Sequence, residues 1–187
     1  MNDGAIMESS RKARRIFRDF LQVISERYSC KKFDGRPVDK KTLERILEAG
    51  RLAPTAKNYQ EQHIYVIQSE AGLATVDQVT PCRYGAATVL VVAFDKEHVF
   101  TYPGGKYHSG MEDAAIVATH MMLAARDAGV DSCWLNFFDP DVAAMKLDIP
   151  ANEQILMLLD LGYAAEGTKP LAPHSQRKEL SETVTYR

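Results

Sequence analysis

Between Gly110 and Asp139 lies the stretch that most limits what this chain can become. Ala114-Ala115-Ile116-Val117-Ala118-Thr119-His120-Met121-Met122-Leu123-Ala124-Ala125 contains no charge, no glycine and no proline. Strong helix formers dominate it and no polar stripe recurs at helical spacing, so the run predicts a helix apolar on nearly every side, which must be buried. Glu112 and Asp113 fall in its first turn, where carboxylates favour the positive end of the helix dipole, and Ser109 is the expected N-cap. Gly129 is the expected stop. Ser132 to Phe138 then has the aromatic bias of a strand. Such a helix needs walls on all sides. Either the rest of the domain wraps it, or a second copy of the chain covers one face.

At 187 residues the chain reads as one domain, 1–187, with a sizeable core. Its 23 basic and 25 acidic side chains give a net charge of −2, which points to neither nucleic acid nor a membrane surface. The longest charge-free apolar run falls short of the roughly 18 residues a spanning helix needs. Met1 to Arg15 is polar with mixed charge, unlike a secretory signal. Cys30, Cys82 and Cys133 form no CxxC pair, which argues against zinc and iron–sulfur sites and fits a reducing cytoplasm. The expected location is cytoplasmic.

Along the chain, Ser9 or Ser10 caps an N-terminal helix, with Ile16, Phe17, Phe20, Leu21 and Ile24 on one apolar stripe. Arg11, Lys12, Arg14 and Arg15 face the other way, as a solvated face rather than a nucleic-acid patch. Asp39 caps a second helix carrying Leu43, Ile46 and Leu47, which ends near Gly50. His63 to Ile67 is a strand, and a short helix follows from about Ala71 to Val79. Ala87 to Phe94 is apolar on both faces and therefore a central strand. Asp139-Pro140 starts a short helix through Met145, and Ile155 to Tyr163 is a third buried strand. Past Lys169-Pro170 the chain turns polar, with Glu179 to Arg187 as an extended tail. The pattern is α+β, helices covering a sheet of about four strands.

The usual catalytic sets are missing: no Gly-x-Ser-x-Gly, no His-Glu-x-x-His, no Gly-x-Gly-x-x-Gly. Gly104-Gly105-Lys106 is not a P-loop, because Phe100 stands where its first Gly belongs and Tyr107 follows the Lys. His120 reads as a core or interface histidine rather than a metal ligand. With no obvious nucleophile or metal, an enzyme of this kind would rely on a bound cofactor. Arg27, Ser29 and Lys31 alternate, so an extended backbone aims all three to one side. Arg brings a bidentate fork for phosphate, Ser a hydroxyl and Lys a mobile charge. A solvated basic turn is the competing reading. A second polar stretch, Pro54 to Gln60, offers Thr55, Asn58 and Gln60 as hydrogen-bonding groups.

Taken together, Arg27-x-Ser29-x-Lys31-x-Phe33, Ala53-Pro54-Thr55-x-x-Asn58-x-Gln60, Asp113-Ala114, Gly129-x-x-x-Cys133-Trp134 and Leu161-Gly162-Tyr163 resemble the FMN-dependent nitroreductase family over about residues 23–187. The resemblance implies a homodimer of α+β subunits. Each has a central antiparallel four-stranded sheet flanked by helices, the long helices pair at the interface, and a tail of about 170–187 crosses to add a fifth strand to the partner's sheet. FMN would bind at that interface. Carried over by position, Arg27 and Ser29 bind the FMN phosphate and Lys31 lies toward the pyrimidine end of the ring. Tyr28 stands where the family usually has Arg or His and contributes mainly through its backbone. Pro54, Thr55, Asn58 and Gln60 come from the second subunit against the ribityl chain and ring. Trp134, Leu135 and Asn136 lie beside the isoalloxazine, with a backbone N–H near Asn136 meeting flavin N5. Arg177 and Lys178 close on the phosphate from the tail. Two departures stand out: Asn136 and Phe137 replace the glycine common there, and Gln60-Glu61-Gln62-His63 replaces Gln-Pro-Trp, changing the wall beneath that loop.

The function implied is an FMN-dependent oxidoreductase. NADH or NADPH would serve as donor and a nitroaromatic, quinone or related small molecule as acceptor, in a ping-pong two-electron cycle without a required protein acid or base. The loop at about 100–109 would be lid-like. Other readings stay open: relatives that carry out dehalogenation or flavin fragmentation, a non-catalytic FMN-binding or storage module, and a helical scaffold without ligand.

Overall fold

The computed structural model describes residues 19–187. In it, Thr88–Asp95 (β2) is flanked on both edges, as two apolar faces require. It pairs antiparallel with Gln62–Ile67 (β1) on one side and with Glu153–Gly162 (β4) on the other, and Asp131–Leu135 (β3) lies beyond β4. The sheet is four-stranded, in the order β1-β2-β4-β3, with antiparallel neighbours throughout. Its register slips once, between Val92↔Met157 and Ala93↔Ile155, a bulge that bends the central pair.

Helices cover both faces. Lys40–Arg51 (α2) begins at Asp39, whose side chain accepts the Thr42 N–H at 3.1 Å, and Gly110–Asp127 (α4) is the long central helix. Ala114, Val117, Ala118, Met121 and Ala125 of α4 pack on Leu90, Val92 and Phe94 of β2 and on Met157, Leu159 and Leu161 of β4, with Leu43 and Ile46 of α2 closing the layer. The opposite face of the sheet, Val89, Val91, Ala93, Ile155 and Leu158, is covered by Glu70–Val79 (α3) through Val76 and by Pro140–Lys146 (α5) through Ala143. Helices on both faces of an antiparallel sheet make this an α+β fold.

Several expectations need correction. The rest of the described domain does not wrap helix α4 on every side: Met111 is 52% and Ile116 38% exposed, so of the two expected arrangements it is the wrapping by its own domain that fails. Ser109 does not cap it; its backbone is already helical, and its hydroxyl accepts the Phe100 N–H at 3.2 Å instead. Strand β3 ends at Leu135 rather than Phe138, because Asp139 caps α5 and the chain must leave the sheet before it. Phe20–Glu26 (α1) buries Val23, whereas the stripe residues Phe20, Leu21 and Ile24 face outward. The proposed caps Ser9 and Ser10, together with Ile16, Phe17 and the basic residues before them, lie outside the described residues. The tail is not wholly extended. A capping box between Glu179 and Glu182 winds Leu180–Thr183 (α6) into one helical turn.

Candidate cofactor site

The segment after α1 runs along the free edge of β3. Ser29 bridges Ser132 in parallel and the Cys30 N–H donates to the Ser132 carbonyl at 2.9 Å. Farther on, the Phe33 N–H donates to the Tyr84 carbonyl at 3.0 Å and the Asp34 N–H to the Tyr163 carbonyl at 2.9 Å. Cys30 and Phe33 turn inward and are buried, which leaves Ser29 and Lys31 facing out, as the alternation predicts. The segment is also fastened from behind. Asp131 of β3 accepts the Ala164 N–H at 3.0 Å and faces Arg126 at 3.4 Å, and Arg126 holds Glu26 at 3.0 Å.

Arg27, Tyr28, Ser29 and Lys31 line one hollow of about 330 Å³ with Leu171, Pro173, His174 and Arg177 from the C-terminal segment. Burial, and next the charge of Arg177, lower the pKa of Arg27 from its ordinary value. No carboxylate pairs with Arg27 or Arg177 among the described residues; Arg177 donates only to the carbonyls of His174 and Gln176. Two guanidinium cations sharing a wall without a counterion among the described residues, beside a hydroxyl and the Lys31 ammonium, form a donor set that suits a phosphate. Lys178, expected alongside Arg177, does not line this hollow. Sequence reasoning missed an adjoining hollow of about 200 Å³, where Lys32 and Lys169 join Ser29 and Lys31.

Pro54, Thr55, Asn58 and Gln60 occupy a separate turn built on the 3-10 element Ala56–Asn58. Thr55 Oγ1 accepts the Gln60 N–H at 3.0 Å, so its hydroxyl shapes the turn from within. Lys57, Asn58 and Gln60 all sit in the left-handed region, at φ 53°, 55° and 54°. Non-glycine residues held there cost roughly 1 kcal/mol or more each and concentrate where a turn serves a ligand. The Ala56 N–H donates to Asp113 Oδ1 of α4 at 3.0 Å, the turn's hydrogen-bonded anchor outside itself among the described residues. The hairpin at 100–109 closes on the same place. Thr101 bridges His108, the Tyr102 N–H donates to the Tyr107 carbonyl, and Lys57 lies 4.8 Å from the centre of the Phe100 ring.

Trp134, Leu135 and Asn136 end β3. Trp134 Nε1 donates to Asn136 Oδ1 at 3.0 Å, Leu135 is buried, and Asn136 borders an apolar hollow of about 350 Å³ with Val79, Pro81, Phe137 and Phe138. Phe137 is 72% exposed. Within one chain, then, the basic hollow, the Thr55–Gln60 turn and the end of β3 are three separate surfaces. The first gathers Arg27, Tyr28, Ser29, Lys31 and Arg177 but not Lys178, the second holds Pro54, Thr55, Asn58 and Gln60, and the third Trp134, Leu135 and Asn136.

Residues 24–82 and 81–163 match the model of a family described as the nitroreductase family. Among curated proteins, one from Archaeoglobus fulgidus, provisionally named an NADH dehydrogenase/NAD(P)H nitroreductase, is 30% identical over 154 residues, covering 76% of this chain and 84% of that one. Among solved structures, a nitroreductase family protein of Clostridium difficile 630 superposes with a TM-score of 0.84 at 33% identity, over 90% of this chain and 98% of that one. A provisionally assigned nitroreductase of Exiguobacterium sibiricum, solved in complex with FMN, shares the fold with a TM-score of 0.78 at 21% identity, over 90% and 97% of the two chains.

Proposed function

The chain belongs to the nitroreductase family, and from that premise we propose that it is an FMN-dependent NAD(P)H oxidoreductase acting on a nitroaromatic, a quinone or a related small acceptor. The observation that carries the reading is the basic hollow, where Arg27, Ser29, Lys31 and Arg177 converge and neither guanidinium meets a carboxylate. When bound, FMN supplies hydride exchange. The chain supplies the rest. Arg27 and Arg177 neutralise the phosphate and Ser29 donates its hydroxyl, while the Tyr28 backbone fixes the spacing between them. Lys31 places a positive charge at the polar end of the ring. No side chain acts as acid or base at a catalytic position.

The remaining walls come from a second copy in this reading: Pro54, Thr55, Asn58 and Gln60 of one subunit against the cofactor gripped by the other, with Trp134, Leu135 and Asn136 beside the ring. Uncovered apolar surface supports a homodimer. Phe20, Leu21 and Ile24 of α1, Leu52, and Met111 and Ile116 of α4 are all exposed apolar side chains. The tail supports it too: Leu171, Leu180, Val184 and Tyr186 are 53%, 76%, 42% and 94% exposed, and among the described residues the hydrogen bonds of 169–187 stay within that segment. A tail that buries its apolar side chains on a partner, extending the partner's sheet, resolves both features. The hairpin at 100–109 would form the rim of the cleft. Three free cysteines favour a cytoplasmic location, and no helix among the described residues is long and apolar enough to cross a membrane.

An absorption spectrum of the purified protein, before and after anaerobic NADH and then NADPH, tests the reading. Flavin bands that bleach with either nucleotide are the expected result. Bands that persist would make the protein a flavin-binding module, and a colourless protein that takes up no added FMN would remove the cofactor from the proposal.

A further inference from the structure

Glu61 and Asp113 are buried carboxyl groups, 6% and 4% exposed, at the point where three segments meet. Glu61 links the Thr55–Gln60 turn to β1, Asp113 lies in the first turn of α4, and Ser109 closes the hairpin that precedes α4. Asp113 Oδ1 accepts the Ala56 N–H at 3.0 Å, and the Ser109 hydroxyl donates to Glu61 Oε1 at 3.3 Å. The other two oxygens, Glu61 Oε2 and Asp113 Oδ2, are buried with no other donor among the described residues, and the two carboxyls lie within hydrogen-bond reach of each other. Two adjacent buried carboxylates without a cation repel; a single proton between them satisfies both orphaned oxygens at once.

We infer that Glu61 and Asp113, joined by one shared proton, are positioning residues that hold the Thr55–Gln60 turn in the shape it presents to the cofactor of the partner subunit. The inference rests on the reading of that turn as a cofactor wall. The turn is left-handed at three non-glycine residues, a shape the chain does not keep unaided. Its outside hydrogen bond among the described residues runs to Asp113, so the charge and orientation of that carboxylate decide whether the turn is held. Burial and then the neighbouring Asp113 push the Glu61 acid up to about 7. Below that pH the proton is in place and the anchor is closed. Above it the Glu61 proton is lost and the two carboxyl groups push apart.

The other charged and titratable groups around the pair do not take over this role. Glu112 on α4 bonds Tyr102 of the hairpin and adds only negative charge. Lys57 of the turn lies over the Phe100 ring, and His108 Nδ1 accepts the Gly110 N–H at 3.3 Å. Asp95 at the end of β2 gives its backbone N–H to the Glu61 carbonyl, while its carboxylate is engaged by His98.

The test is FMN affinity from pH 5.5 to 8.5, followed by flavin fluorescence, for the wild type, Glu61→Gln, Glu61→Ala and His108→Gln. The FMN phosphate itself titrates near pH 6 in every variant, so the quantity read is the ratio of each Kd to that of Glu61→Gln, which offers Asp113 a permanent N–H donor. For the wild type this ratio should stay near one below pH 6 and rise about fivefold by pH 8.5. Glu61→Ala should bind more weakly at every pH, and His108→Gln should keep the wild-type profile. A wild-type ratio that stays constant with pH, or a His108→Gln variant that flattens it, overturns the inference. Amide exchange at Ala56 in the cofactor-free protein gives a second reading that needs no variant. Its protection factor, corrected for the intrinsic base-catalysed rate, should fall as pH rises through 7. Constant protection there overturns the pairing even if the variants fail to fold. If no form binds FMN, the cofactor reading is what fails, and the Ala56 amide still decides the carboxyl pair.

Discussion

Arg27 and Arg177, one just past the first described helix and the other near the end of the chain, line the same hollow, and the charge of Arg177 adds to burial in lowering the pKa of Arg27. Cations brought together without a carboxylate are held in place against their own repulsion. The arrangement makes sense when an anion completes it.

Replacing Arg177 by Ala should therefore weaken FMN binding by about 10- to 100-fold, the range of one charge-assisted hydrogen bond, while leaving the stability of the cofactor-free protein unchanged or slightly raised. Titration with FMN and with riboflavin, which lacks the phosphate, separates the causes. Riboflavin affinity should be the same in both proteins. A parallel loss for both ligands would mean that Arg177 supports the tail rather than the phosphate.

Lys31 sits on the exposed side of the edge segment, its ammonium 5.6 Å from the centre of the Tyr84 ring and free of any carboxylate among the described residues. Near the polar end of the flavin ring it would favour the negatively charged reduced form. Lys31→Ala should reduce FMN retention and lower the two-electron potential by about 30 mV, equivalent to roughly 1.4 kcal/mol of lost electrostatic stabilisation. Equilibration against a reference dye reads the shift, and an unchanged potential would place Lys31 away from the ring.

The sheet and the central helix were legible because their signals are local. The apolar run Val89 to Phe94 in β2 and an uncharged run in α4 each demand burial wherever they end up. The orientation of α1 was not legible. Val23 faces inward while Phe20, Leu21 and Ile24 face outward, and the apolar stripe alone did not say which of its residues the described domain would bury. The basic hollow was half legible: alternation singled out Arg27, Ser29 and Lys31, but only the family resemblance brought Arg177 to them. The Glu61–Asp113 pair could not be read in advance, since two carboxyls far apart in sequence carry no sign that the fold will bury them together.

Gly110, the first residue of α4, shows how tightly this end of the helix is packed. A Cβ there would lie 2.3 and 2.5 Å from Phe94 ring atoms and 2.8 Å from Val99 Cγ1. Phe94 is fully buried in the central strand and has no room to retreat. Gly110→Ala should destabilise the protein by about 2 kcal/mol despite the better helix propensity of alanine, a cost set by overpacking. Urea unfolding measures it. A stabilised variant would mean that the helix start can slide away from β2.

Asp160 is the least expected side chain in the core. It lies on β4 between Val89 of β2 and Cys133 of β3, fully buried, and neither carboxyl oxygen has a hydrogen-bond partner among the described residues. The Arg83 charge lowers its pKa, but that guanidinium is already committed to Asp77 and the Ala86 carbonyl, and burial dominates, raising the acid to about 8. In the unfolded chain the same group titrates near 3.8. The folded state thus binds the proton more tightly. Whatever Asp160 contributes is fully present below about pH 4 and is lost progressively as pH rises to about 8, where a buried carboxylate is left behind. Asp160→Asn removes that titration. The stability difference between variant and wild type should grow in favour of the variant by about 3 kcal/mol from pH 4 to pH 8, after discounting for relaxation around the ionised group. Urea unfolding at pH 4, 6 and 8 gives the difference directly. Titration of Glu61 contributes equally to both proteins and cancels. Parallel stability curves across that range would show that Asp160 finds a partner or water in solution and is ionised at little cost.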